Sequence, residues 1–109
     1  MRIFSAAMLL LFGLSGEGKA GFTDGSELHN WCQGMVMKIT GCMGYIQGVI
    51  DMTVGEQYNG SCFRIPPDSN RLQAHDVVKA WLEKNPAKRH YAAQDLVAKA
   101  LAEAWPCKK

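Results

Sequence analysis

The residues best equipped for chemistry are four cysteines, Cys32, Cys42, Cys62 and Cys107, and three histidines, His29, His75 and His90. The cysteines lie 10, 20 and 45 residues apart, with no Cys-x-x-Cys pair. Zinc sites draw on closely spaced ligand pairs, so this spacing argues against a metal centre. The lack of Cys-x-x-Cys-His likewise removes c-type haem attachment. His29 and Cys32 are three apart on a predicted helix, but a surface histidine beside a disulfide cysteine accounts for them more simply. No Gly-x-Ser-x-Gly, His-Glu-x-x-His or glycine-rich phosphate loop occurs. His75 and Asp76 are neighbours in sequence, so on a helix they are expected to point in different directions. Glu27 and Asp51 each fall beside an apolar stripe, the usual place of caps and solvated edges. These residues predict no enzyme, no cofactor and no metal. An even cysteine count in an exported chain instead signals a disulfide framework.

Export is expected from the first 20 residues. Arg2 supplies a positive start, and Ile3 to Leu14 is an apolar run of signal-peptide length. It is too short to cross a membrane, which takes roughly 20 apolar residues. Gly18-Lys19-Ala20 fits a small-x-small cleavage site, so residues 1–20 form the predicted leader and residues 21–109 one mature domain. Removing Arg2, Glu17 and Lys19 with the leader takes the formal charge from +2 to +1. So neutral a chain does not suggest nucleic acid as a partner, and with no membrane-span or lipid-anchor signal after cleavage a membrane is not an expected partner either.

The positioning elements read as four helices. Asp24, with Glu27 three residues on, suits the start of the first. Leu28, Trp31, Cys32, Met35, Val36 and Ile39 then follow helical spacing up to a break at Thr40-Gly41. Cys42, Tyr45, Ile46, Val49, Met52 and Thr53 mark the second, in which Gly44 and Gly48 would let another helix approach closely. Residues 56–68 form the one long connection, with a tight turn at Asn59-Gly60 and an extended Phe63-Arg64-Ile65 before two prolines. Tyr58 in this connection is either packed back on the bundle or offered to a partner. Ser69 or Asn70 caps the third helix, Asn70 with Gln73 three residues on giving the reciprocal arrangement, and its stripe is Ala74, Val77, Val78, Trp81 and Leu82. Asn85-Pro86 ends it and can start the fourth, with Ala93, Leu96, Val97, Ala100, Leu101, Ala104 and Trp105 as its stripe. The predicted fold is all-α, a small four-helix bundle stapled by two disulfides, with Trp31, Trp81 and Trp105 in its core.

A hairpin turning at Thr40-Gly41 would leave Cys32 roughly 10 Å below Cys42 at ~1.5 Å per residue. A disulfide spans only about 4.4–6.8 Å between Cα atoms, which disfavours that pair. The connection after Gly55 is long enough to favour Cys42–Cys62 with Cys32–Cys107; Cys32–Cys62 with Cys42–Cys107 stays open.

Phe22-Thr23-Asp24-Gly25-Ser26-Glu27-Leu28, then Cys32, then Cys42-Met43-Gly44-Tyr45-Ile46-Gln47-Gly48-Val49-Ile50-Asp51 resembles the G-x-x-L-x-x-x-C and C-x-G-Y-I-x-G-V-x-D opening of the Tai/Rap immunity proteins. Cys62-Phe63-Arg64-Ile65-Pro66, Trp81-Leu82, Asn85-Pro86 and Trp105-Pro106-Cys107 continue the likeness. The resemblance implies an all-α periplasmic protein, often a homodimer, that protects against a peptidoglycan amidase delivered by bacterial type VI secretion. It further implies inhibition by a loop set into the amidase active site. The candidate loop is Glu56, Gln57, Tyr58, Asn59, Gly60 and Ser61, braced by Cys62, with the turn Lys84–Arg89 as second candidate. A periplasmic stress or holding chaperone, or an inhibitor of another small hydrolase, is the alternative.

Overall fold

The computed structural model describes residues 23–108. The expected leader, residues 1–20, lies outside them. Four helices follow in order: α1 (Gly25–Cys32), α2 (Val36–Thr53), α3 (Arg71–Lys84) and α4 (Ala93–Ala104), with a short 3-10 turn at Pro86–Lys88. The described residues contain no strand, only isolated bridges at 24/92, 58/61 and 63/106. The all-α bundle with two disulfides is therefore the observed fold.

Local chemistry explains the helix starts. The Asp24 carboxylate accepts from the Glu27 N–H at 2.9 Å, supplying one of the donors a helix leaves unpaired in its first turn. Asn70 and Gln73 form the full reciprocal box, with bonds of 2.9 and 3.0 Å. Pro86 opens only the 3-10 turn; α4 begins seven residues later at Ala93, so the expected Asn85-Pro86 start for the fourth helix is corrected. Arg89 explains the delay. Its guanidinium donates to the Leu82 and Glu83 carbonyls at 2.7 and 3.3 Å and so caps the end of α3. Segment 89–93 then pairs with the start of α1 through Gly25 N–H to Tyr91 O, Ser26 N–H to Arg89 O and Ala93 N–H to Thr23 O. The approach is close: a Cβ on Gly25 would come within 2.8 Å of the Arg89 carbonyl oxygen.

One helix boundary differs from the expectation, and the cysteine pairing changes with it. α1 ends at Cys32 and not at Ile39, because the N–H groups of Gln33 and Gly34 turn back onto the carbonyls of His29, Asn30 and Trp31. Thr40 and Gly41 lie inside α2, where the Thr40 hydroxyl donates to Val36 O at 2.8 Å. Cys32 and Cys42 thus flank a turn at residues 33–35 at similar heights, and they are bonded with Cα atoms 5.0 Å apart. The second bridge is Cys62–Cys107. Both the disfavouring of Cys32–Cys42 and the preference for Cys42–Cys62 with Cys32–Cys107 are overturned. Met35 and Val36, placed on the core stripe by spacing alone, are 84% and 78% exposed.

Met52 on the second stripe and Ala104 at the end of the fourth are exposed as well, and most of the other expected stripe positions are buried or packed on the core. Leu28, Ile46, Phe63, Val78, Leu82, Val97 and Leu101 are buried in one cluster with both cysteines of the first bridge. Trp81 is buried and donates its indole N–H to Glu103 at 3.0 Å. Trp31 and Trp105 pack at the cluster edge, Trp31 edge-on to Tyr45 with ring centres 6.4 Å apart.

Candidate docking site

Asn59 and Gly60 have φ of +48° and +82°, the left-handed pair that a two-residue hairpin turn requires. Tyr58 and Ser61 exchange both backbone hydrogen bonds across it, at 2.8 and 2.9 Å. The connection from Glu56 to Ser61 is therefore a small hairpin with its tip exposed.

Three ties hold that hairpin. At its base, Cys62 is bonded to Cys107, whose N–H donates to Cys62 O at 3.2 Å. Next to the bridge, Phe63 is 1% exposed, and Arg64 N–H reaches Trp105 O at 3.0 Å. At the tip, the Asn59 side-chain amide donates to the Asp95 carboxylate on α4 at 2.7 Å. The expected brace at Cys62 exists, with Cys107 as its partner.

Tyr58 is half-buried and packs back on the core cluster. Its ring helps line an apolar groove of about 560 Å³ with Gly44, Tyr45, Gly48, Val49 and Met52. Burial pushes the Tyr58 phenol above its ordinary pKa, and the Asp95 carboxylate adds to that rise. The Tyr45 phenol is raised too, chiefly by burial and then by Tyr58, while its hydroxyl donates to Gln94 at 3.1 Å. Both tyrosines stay neutral donors near neutral pH.

The two loops singled out from sequence lie on the same face. A pocket of about 350 Å³ is lined by Asn59 and Ser61 of the hairpin together with Lys88, Tyr91, Asp95 and Lys99. Tyr91 is 53% exposed and stacks at a tilt on His90, ring centres 4.1 Å apart. Tyr91, Asp95 and Lys99 were invisible as site residues in sequence, since each reads as an ordinary turn or helix-surface residue. The arrangement offers a polar tip, cationic flanks and an aromatic ring, all suited to contact with a protein.

The histidines have settled roles. His29 Nε2 accepts from the Gln33 side-chain amide at 2.8 Å and takes no part with Cys32, which is buried in its disulfide. Burial and then Arg89 lower the His29 pKa. His75 and Asp76 do meet, Nδ1 to Oδ1 at 3.3 Å, contrary to the expectation that they diverge. The exposed Asp76 side chain bends back toward the buried ring.

The Rap1a immunity proteins match this chain over residues 24–107, from the residue that caps α1 to the last cysteine of the second bridge. No curated protein matches it. With most of its length matched and an all-α, doubly bridged fold, the chain belongs to the Rap1a immunity protein family.

Proposed function

We propose that this chain is an exported immunity protein that binds a peptidoglycan amidase effector in the periplasm and blocks its active site with the 56–61 hairpin. Residues 1–20 act as the cleaved leader. The observation that carries the loop assignment is the triple tie of the hairpin: Cys62–Cys107, buried Phe63 and the Asn59–Asp95 bond. A binding loop already held in one shape loses less entropy on docking, which leaves more of the contact energy as affinity. Lys88 of the second candidate turn lines the same pocket as Asn59 and Ser61, so both candidates can contribute to one contact face.

Family membership supports an effector as partner; the amidase chemistry of that effector is the proposal's own step. Titration of purified type VI amidases with residues 21–109 tests it directly. Stoichiometric inhibition that is lost when residues 56–61 are replaced together supports the assignment. Full inhibition by that variant sinks it.

The implied homodimer has room on α2. Met37, Gly41, Gly44, Gly48 and Met52 follow helical spacing along its exposed side, and a Cβ on Gly44 or Gly48 would meet nothing within 4 Å. A small-residue centre between two methionines is self-complementary about a two-fold axis, so a second copy is the proposed occupant. Sedimentation of the mature protein, with Gly48→Glu as the disrupting variant, checks this.

A further inference from the structure

Helices α1, α2 and α3 each bring one soft or borderline donor to a single buried point. The sulfurs of Cys32 and Cys42 and a ring nitrogen of His75 all lie within 4.8 Å of one another. Cys32 is 1% exposed, Cys42 0% and His75 8%. The carboxylate of Asp76 can only accept, so the 3.3 Å contact places a hydrogen on Nδ1, and in the neutral ring the lone pair is then on Nε2. Nε2 is buried and has no hydrogen-bond partner among the described residues. A buried, unpartnered nitrogen in that tautomer, held by a carboxylate on its other nitrogen, is the arrangement of a metal-binding histidine. The disulfide beside it has no hydrogen to offer.

We propose that, when Cys32–Cys42 is reduced, Cys32, Cys42 and His75 form a Cys2His site for a thiophilic divalent cation, with Zn2+ as the native-type ligand. A dithiol reductant supplies two electrons and two protons, becoming a disulfide itself, while the Cys32–Cys42 bond opens to two thiols. On metal binding each thiol gives its proton to solvent, and the two thiolates and the neutral imidazole bind the cation. Zinc bonds of about 2.3 Å to sulfur and 2.0–2.1 Å to nitrogen require donors well within the spacing seen, once the sulfurs part. Two sulfurs and an imidazole suit zinc over calcium or magnesium. The ion then ties α1 to α2 in place of the covalent bond and adds α3 to the tie. This inference stands apart from the inhibitory role and survives its failure.

The test uses the mature protein carrying Cys62→Ser and Cys107→Ser, reduced with a phosphine and kept anaerobic, so that one thiol pair remains. Titration with Co2+ should give sulfur-to-cobalt charge-transfer bands saturating at one ion per chain, and Zn2+ should displace them. Zn2+ should also raise the melting temperature of the reduced chain. His75→Ala should weaken Zn2+ binding at least tenfold, measured by chelator competition, and Asp76→Asn should weaken it less. His29→Gln should leave it unchanged. A reduced chain that binds no Zn2+, or binds equally well with His75→Ala, overturns the proposal. If the reduced variant is unfolded, recovery of its helical circular dichroism with Zn2+ supports the site and failure to recover overturns it.

Discussion

Asn59 and Asp95, 36 residues apart in the chain, are joined by a 2.7 Å hydrogen bond that ties the hairpin tip to the first turn of α4. The bond is solvent-exposed, so it contributes little to global stability, about 0.5–1.5 kcal/mol. Its value lies in holding the tip. Asp95→Ala should therefore lower the melting temperature only slightly while weakening effector inhibition up to about tenfold. Parallel thermal melts and inhibition titrations separate the two effects. A large loss of stability with unchanged inhibition would contradict the role assigned to the tip.

The two bridges should differ in weight. Cys62–Cys107 closes 45 residues and Cys32–Cys42 only 10. Chain-entropy scaling gives about 4 kcal/mol for the longer closure and about 3 kcal/mol for the shorter. Paired Cys→Ser variants compared by urea denaturation should rank in that order, with inhibition suffering more from loss of the bridge at the hairpin base.

Phe63 is the largest fully buried side chain among the described residues and follows the bridging Cys62 directly. Phe63→Ala should cost about 3–5 kcal/mol, most of what a domain of this size has. Equilibrium unfolding measures it; Phe63→Leu should restore much of the loss.

Arg89 closes the end of α3 through two carbonyls, one at 2.7 Å. Arg89→Ala should cost about 1–3 kcal/mol, because the Leu82 carbonyl then lacks its charged donor. Amide exchange should quicken first in the last turn of α3 and in segment 85–91.

The His29 pKa is lowered in the fold, by burial first and Arg89 second. Between the lowered value and 6.5, the unfolded chain binds the extra proton, so stability rises with pH across that window and falls as the medium is acidified through it. His29→Gln should flatten the melting temperature between pH 7.5 and 5, as read by thermal melts in buffers of matched ionic strength. The change is small, since the ring is only partly buried.

What the sequence determined by itself was mostly local. Asp24, Asn70 and Gln73 announced helix starts because capping is settled within a turn. Asn59-Gly60 announced a tight turn because few other residues tolerate two left-handed positions in succession, although not the hairpin it closes. The stripes of α3 and α4 announced most of the core, since their spacing runs unbroken into buried positions. The family pattern was legible as well, for it is written in residue types and intervals.

Tertiary structure decided what local spacing left degenerate. Leu28 to Ile39 kept helical spacing through a real break, and apolar residues at Met35 and Val36 cannot tell a continued helix from an exposed turn. Moving that break by a few residues moved Cys32 level with Cys42 and reversed the pairing. The meeting of Asn59 and Ser61 with Lys88, Tyr91 and Lys99 depends on how the hairpin folds onto α4. So does the placing of His75 on a disulfide more than 30 residues away in sequence. No interval encodes such contacts, because they arise only when separate helices bury their faces against one another.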